Sequence, residues 1–182
     1  MGFFRRLFGS GREAAAGHIE RGLEAFGRGD HDRALAEWSE AIRLDPTNAD
    51  SYVDRGWVYV LKQDWDRALA DLTRAIQLRP DSEAYNNRGI VHAAKGQHDR
   101  ALADFTEAIR LRPLGTRAYL NRGKTYRDLG DLARALADHD EAVRLDPRNA
   151  DTYRQRAATY RARGDEASAA EDERTADELT SG

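Results

Sequence analysis

The segment 101–113, ALADFTEAIRLRP, returns with small changes at 34–46, 68–80 and 135–147. Each copy carries apolar residues at the spacing of one helix face and ends in a proline, which cannot continue a helix. These prolines stand 34, 33 and 34 residues apart. Such a period is typical of stacked helical hairpins, because each unit needs a neighbour to cover its apolar face. The sequence therefore predicts an all-α chain of stacked helix pairs.

Counting back from the prolines divides the chain into repeats at 15–48, 49–81, 82–115, 116–149 and 150–182. The first helix of a repeat carries the pattern Tyr-x-x-Arg-Gly, as at Tyr52, Arg55 and Gly56. Between the two helices stands a pair such as Gly130-Asp131, a helix-ending glycine and a residue able to cap the next helix. The last repeat has Glu173 and Asp177 where other repeats have apolar residues or His139. We expect it to be a polar cap that stops the stacking.

This pattern resembles the tetratricopeptide repeat (TPR), with its aromatic, glycine and tyrosine on the first helix and its alanines and proline on the second. The resemblance covers 15–182 and implies an α-solenoid of about five antiparallel helix-pair repeats wound into a right-handed superhelix. The family usually has leucine before the helix glycine, whereas an arginine stands there in every repeat of this chain: Arg21, Arg55, Arg88, Arg122 and Arg156. An acid also recurs on every second helix: Glu37, Asp71, Asp104, Asp138 and Asp172. We expect these two series to form ion pairs between helices.

A glycine inside a helix costs about 1 kcal/mol relative to alanine, so the recurring first-helix glycines need a packing reason. Gly56 and Ala68 are both small and recur at the same places in the first four repeats. We expect each such glycine to face the alanine of the second helix.

Composition excludes several classes of function. A net charge of -3 and a pI near 6.0 disfavour nucleic acid as the main partner. The five histidines replace aromatic or leucine residues of other repeats, so we expect packing roles and no metal site. The carboxylates follow the repeat and form no isolated acid–base pair, and the glycines form no phosphate-binding loop. We expect a protein that is not an enzyme and needs no cofactor.

The family resemblance implies that the first helices line a groove that binds a protein or peptide segment. In the first three repeats this face is apolar with acids, including Glu20, Leu23, Asp50 and Glu83. In the last two it is basic, and we expect an acidic portion of the ligand to lie there. Trp57, Val60 and Ile90 are expected to be exposed anchors without a packing role. The full predicted binding set is Asp54, Trp57, Val60, Asn87, Ile90, Asn121, Lys124, Arg127, Arg154 and Arg161.

Residues 1–14 form a separate arm in this interpretation, with Phe3, Phe4, Leu7 and Phe8 around two arginines and a Gly-Ser-Gly hinge at 9–11. The arm lacks the apolar core of a secretory signal, and no run in the chain has the length of a membrane span. We expect a cytoplasmic protein. Contact of the arm with a membrane surface, and occupation of a groove on its own or a second copy, stay open as alternatives.

Overall fold

The computed structural model describes the backbone of residues 2–181 and the side chains of residues 11–181. Within that part of the chain there are ten helices and no strand. They are α1 (Gly2–Gly27), α2 (His31–Leu44), α3 (Ala49–Leu61), α4 (Trp65–Leu78), α5 (Ser82–Ala94), α6 (His98–Leu111), α7 (Thr116–Asp128), α8 (Leu132–Leu145), α9 (Ala150–Arg163) and α10 (Glu166–Ser181). The expectation of an all-α chain of helix pairs is confirmed. The repeated segment forms the second helix of each of the first four pairs.

The recurring proline, glycine and aspartate residues explain where these helices begin and end. Each of α2, α4, α6 and α8 ends two residues before its proline, because the residue preceding proline is disfavoured in helical conformation. Within each pair, a residue with positive φ follows the end of the first helix by one or two positions: Gly29, Gln63, Gly96, Gly130 and Gly164. Asp30, Asp64 and Asp131 then accept a hydrogen bond from the first turn of the next helix.

The chain forms two compact units, one extending to Val91 and the other beginning at His92, inside α5. In the first unit, Trp38 packs with Ala25, Ala34 and Val58, and Leu72 packs with Val60, Ala68 and Val91. In the second unit, α7 packs against α8, and α9 packs against both α8 and α10. Ala135, Ala142, Ala157, Ala169 and Ala176 are fully buried there. Small residues at the helix contacts let the pairs stack closely.

The first-helix glycines have a different packing partner from the one predicted. A Cβ on Gly22 would lie 2.7 Å from Nε1 of Trp38, and one on Gly123 would lie 2.6 Å from Nε2 of His139. At Gly56 the nearest atom is Cγ of Leu72, at 3.0 Å. These three glycines therefore make room mainly for the large side chain one helical turn beyond the alanine, although the carbonyl oxygen of Ala135 also lies 3.2 Å from a Cβ on Gly123.

The amino-terminal helix α1 runs from Gly2 through the segment predicted to be a hinge. A Cβ on Gly11 would lie 3.3 Å from the carbonyl oxygen of Leu44, and Arg12 forms an ion pair of 3.5 Å with Asp45. Packing against α2 thus begins before residue 15, and the arm boundary stays a prediction. The side chains of Phe3, Phe4, Leu7 and Phe8 lie outside those that the structure describes. No helix among the described residues is long and apolar enough to cross a membrane.

Candidate interaction surface

Arginine–carboxylate pairs connect the two helices of a repeat. Arg55 donates from Nε and Nη2 to both oxygens of Asp71, each at 2.8 Å. Arg122 and Arg156 make the same forked contact with Asp138 and Asp172 at 2.7–2.9 Å. The carboxylates are buried, whereas the arginine side chains keep about a fifth of their surface exposed. The predicted pairing is confirmed at these repeats, and in the first repeat Glu37 accepts from both His18 and Arg21.

The same arginines also reach the preceding repeat, through acceptors that sequence reasoning missed. Nη1 of Arg55 donates to Ser39 Oγ at 3.0 Å, and Nη1 of Arg122 donates to Thr106 Oγ1 at 3.1 Å. Arg156 donates to Asp140 at 2.8 Å. The signal in the sequence was the polar residue two positions after each recurring acid. Each arginine therefore fixes three helices relative to one another within its unit, and so holds the first helices at a defined spacing.

The predicted apolar anchors of the first unit belong largely to its core. Val60 is only 7% exposed and packs with Leu72 and Val91, so the expectation that it is a free anchor is wrong. Trp57 and Ile90 are partly buried and pack against the same cluster. They have the packing role that was not expected, because neighbouring first helices lie close enough to share a core. Leu23 on α1 is 51% exposed and is the more accessible apolar side chain of this face.

Asp54, Asn87 and Asn121 of the predicted binding set are called the polar column, and their side chains lie at unequal depths. Asn87 is 5% exposed, and its Oδ1 accepts a long hydrogen bond of 3.4 Å from Asn86. Asn121 is half-buried, and its backbone oxygen accepts from Thr125 Oγ1. Asp54 is also half-buried, and burial together with the charges of Asp50 and Glu83 raises its pKa to about 6. The column therefore presents one deep amide and an uncompensated carboxyl in the first unit.

Three of the four basic residues predicted to bind a ligand in the second unit already contact other groups of the chain. Arg154 lies 3.6 Å from Asp177, and Arg161 forms an ion pair with Glu173. Arg127 donates from Nη1 to the backbone oxygen of Gln155 at 3.2 Å. Lys124 is exposed and forms no ion pair among the described residues. The two arginines of α9 thus lie beside acids of α10, and their contact with an acidic portion of a ligand stays a prediction.

His139 and His31 have the packing roles expected of the histidines, whereas His18 and His92 bond to Glu37 and Gln97. His139 is fully buried beneath Gly123, and its Nδ1 lies 3.0 Å from Thr159 Oγ1. Burial, helped by the charge of Arg127, lowers its pKa to about 4. His31 stacks on Phe26 with ring centroids 5.8 Å apart. Among the side chains of 11–181, no three histidine, aspartate or glutamate residues lie in an arrangement that fits a metal ion.

The tetratricopeptide repeat family matches this chain over four overlapping segments, 19–83, 62–116, 86–150 and 120–182. These matches span almost all of the helical pairs described above. The chain belongs to the tetratricopeptide repeat family, and its helix pairs are the repeats of an α-solenoid.

Solved structures with the same fold include three that the chain matches over nearly its whole length. MamA from Desulfovibrio magneticus RS-1 is 23% identical, with a TM-score of 0.78 and coverage of 92% of this chain and 95% of MamA. TTC0263, a TPR protein from Thermus thermophilus, is 20% identical, with a TM-score of 0.80 and coverage of 91% of each chain. YrrB, described as a TPR protein with an unusual peptide-binding site, is 24% identical, with a TM-score of 0.69 and coverage of 97% and 92%. At these identities the likeness concerns the fold. No curated protein matches the chain.

Proposed function

We propose that this chain is a non-enzymatic interaction module that binds a peptide segment of a partner protein on the surface of its first helices. The observation that carries the proposal is the division of labour between the helices. The second helices carry the recurring acids and fully buried apolar residues that hold each repeat together. The first helices carry the side chains that differ from repeat to repeat, such as Trp57, Asn87 and Lys124. Variation on a rigid scaffold is how repeat proteins acquire specificity.

The peptide-binding role also agrees with the family to which the chain belongs, since extended or helical peptides recognise a groove through spaced anchors. The predicted binding residues are kept in this proposal, but some of them have new roles. Leu23 and the exposed parts of Trp57 and Ile90 provide apolar contact, whereas Val60 supports them from below. Asn87 and Asn121 have amides suited to a peptide backbone.

An acidic portion of the ligand is proposed to contact Lys124 in the second unit. Lys124 is exposed, whereas Arg154 and Arg161 would have to exchange Asp177 and Glu173 for the ligand. Arg127 retains Nε and Nη2 as donors beyond its contact with Gln155. A carboxylate of the ligand could therefore pair with Lys124 directly. To pair with Arg154 or Arg161 it would have to break an existing ion pair, which costs free energy.

Selection from a phage-displayed library of random dodecapeptides against the full chain tests this function. Selected peptides are then measured by fluorescence anisotropy against the parent chain and two charge reversals. We expect Lys124→Glu to weaken the binding of acidic peptides by at least about tenfold. Arg74→Glu, an exposed charge on the second helix α4, serves as the matched control and should leave affinity unchanged. Failure to enrich any peptide would contradict the proposed function.

A further inference from the structure

The first-helix face of the first unit has a one-sided composition. Its predicted inward residues in the first three repeats include the four acids Glu20, Asp50, Asp54 and Glu83, and neither lysine nor arginine. Glu20, Asp50 and Glu83 are exposed, and of these Asp50 forms an ion pair with Arg79. Apolar surface accompanies these charges, because Leu23 is half exposed and Trp57 is only partly buried. A ligand that complements this face is both apolar and cationic.

Asp54 is the member of this face whose environment differs from that of the structural acids. Asp71 of the same unit is also removed from water, but it receives two hydrogen bonds from Arg55. Glu37 likewise accepts hydrogen bonds from His18 and Arg21. Asp54 is half-buried, and no ion pair or hydrogen bond to its carboxylate occurs among the described residues. Acids without a compensating partner cost stability, and such groups are often retained for binding.

We infer that Asp54 is the subsite of the proposed peptide surface that binds a lysine or arginine side chain of the partner, with an apolar neighbour of that residue lying on Trp57. This inference rests on the proposed function. Trp57 lies one helical turn beyond Asp54 on α3, so a cation held by the carboxylate also lies near an aromatic ring. Burial, with added repulsion from Asp50 and Glu83, raises the pKa of Asp54 to about 6, and a cation beside the carboxylate would offset both effects by attraction.

The test repeats the dodecapeptide selection against the parent chain, Asp54→Asn and Asp99→Asn. Asparagine keeps the shape of the side chain and removes its charge. Asp99 is exposed on the second helix α6, so the control makes the same chemical change away from the first helices. We expect peptides selected on the parent and on Asp99→Asn to share a lysine or arginine at one fixed position beside an apolar residue. Peptides selected on Asp54→Asn should lack that preference, and parent-selected peptides should bind this variant at least about tenfold more weakly.

The outcomes separate the two proposals. Enrichment of peptides without a fixed basic position, or with the same basic position on Asp54→Asn, overturns the cation subsite and leaves the peptide-binding function standing. Enrichment of no peptide overturns the function and the subsite with it. Thermal unfolding checks that the Asp54→Asn chain is folded. Asp54→Asn should melt above the parent at pH 8 and converge with it near pH 4, because a raised pKa in the folded state makes the charged form costly only at higher pH.

Discussion

His139 is a residue whose burial makes the fold sensitive to acid. It occupies the second-helix position that Trp38, Leu72 and Phe105 fill in the earlier repeats, and it is fully buried. Its pKa falls from 6.5 to about 4 because the charged form cannot be hydrated there. Folding therefore favours neutral His139. Above pH 6.5 His139 is neutral in both the folded and the unfolded chain. As the pH falls from 6.5 towards 4, the unfolded chain binds a proton there and the folded chain does not, so the free energy of unfolding decreases.

Replacement of His139 by phenylalanine should remove this sensitivity. The shift corresponds to about 3 kcal/mol at most, so the parent should lose up to about that much more unfolding free energy than the variant between pH 7 and pH 4. Urea unfolding at several pH values measures the difference directly. Equal pH dependence in the two chains would show that His139 is hydrated or paired in the folded state.

Gly123 is a second residue at which local geometry decides stability. A Cβ there would lie 2.6 Å and 2.7 Å from atoms of the His139 ring, and both partners are held inside the core. We expect Gly123→Ala to destabilise the fold by about 1–3 kcal/mol in spite of the higher helix propensity of alanine.

The matched control is Gly27→Ala, since a Cβ on Gly27 meets nothing within 4 Å and the residue is exposed at the end of α1. Chemical denaturation should show an unchanged or slightly raised midpoint for this control. A Gly123→Ala chain as stable as the parent would mean that α7 and α8 can separate without cost.

At the scale of helices, the interhelical arginine contacts decide how the repeats hold together. Arg122 joins Asp138 on α8 of its own repeat and Thr106 on α6 of the preceding one. The carboxylate is buried, so loss of the arginine leaves a charge without compensation. Each single alanine replacement in this pair should cost about 3–5 kcal/mol.

A double-mutant cycle with Arg122→Ala and Asp138→Ala separates this pairing from general packing. We expect a coupling energy of about 1–3 kcal/mol, measured from urea unfolding of the four chains. The exposed pair Arg144–Glu141 on α8 is the control, with an expected coupling below about 0.5 kcal/mol. Additive losses at Arg122 and Asp138 would refute a structural role for the pair.

The sequence was sufficient to predict these helices because the same helix-pair pattern occurs five times in the chain. Proline and glycine positions located the helix ends, and the recurrence of Arg and Asp together predicted their contact. The acceptors on the preceding repeat were missed, since Ser39, Thr106 and Asp140 share no single residue type. The glycine contacts were assigned one turn too early because small residues suggested each other as partners.

The candidate site was predicted less well, for a physical reason. A residue's place on the inward helix face does not decide its exposure when adjacent first helices share a core, as Val60 and Asn87 show. Nor does the position of Arg161 on its own helix predict that Glu173 of the next helix pairs with it. Asp54 and Lys124 were predicted and keep their place in the proposal, since each is a charge without an ion pair among the described residues.

At the scale of the whole molecule, the second helices are proposed to support the fold and the first helices to form the recognition surface. The repeats agree with one another at the supporting positions, such as the buried alanines of α2, α4, α6 and α8. They disagree along α1, α3, α5, α7 and α9, where the charges change from acidic in the first unit to basic in the second. The first unit would therefore favour cationic groups of a ligand, and the second unit would favour acidic ones.

The footprint of a selected peptide tests this central claim most directly. Backbone amide shifts of the isotopically labelled chain are followed by NMR while the peptide is added to saturation. The account predicts that the large shifts fall on α3, α5, α7 and α9, include Asp54 and Lys124, and leave the outer faces of α4, α6 and α8 unchanged. Shifts concentrated on those second helices, with the first helices unaffected, would contradict it.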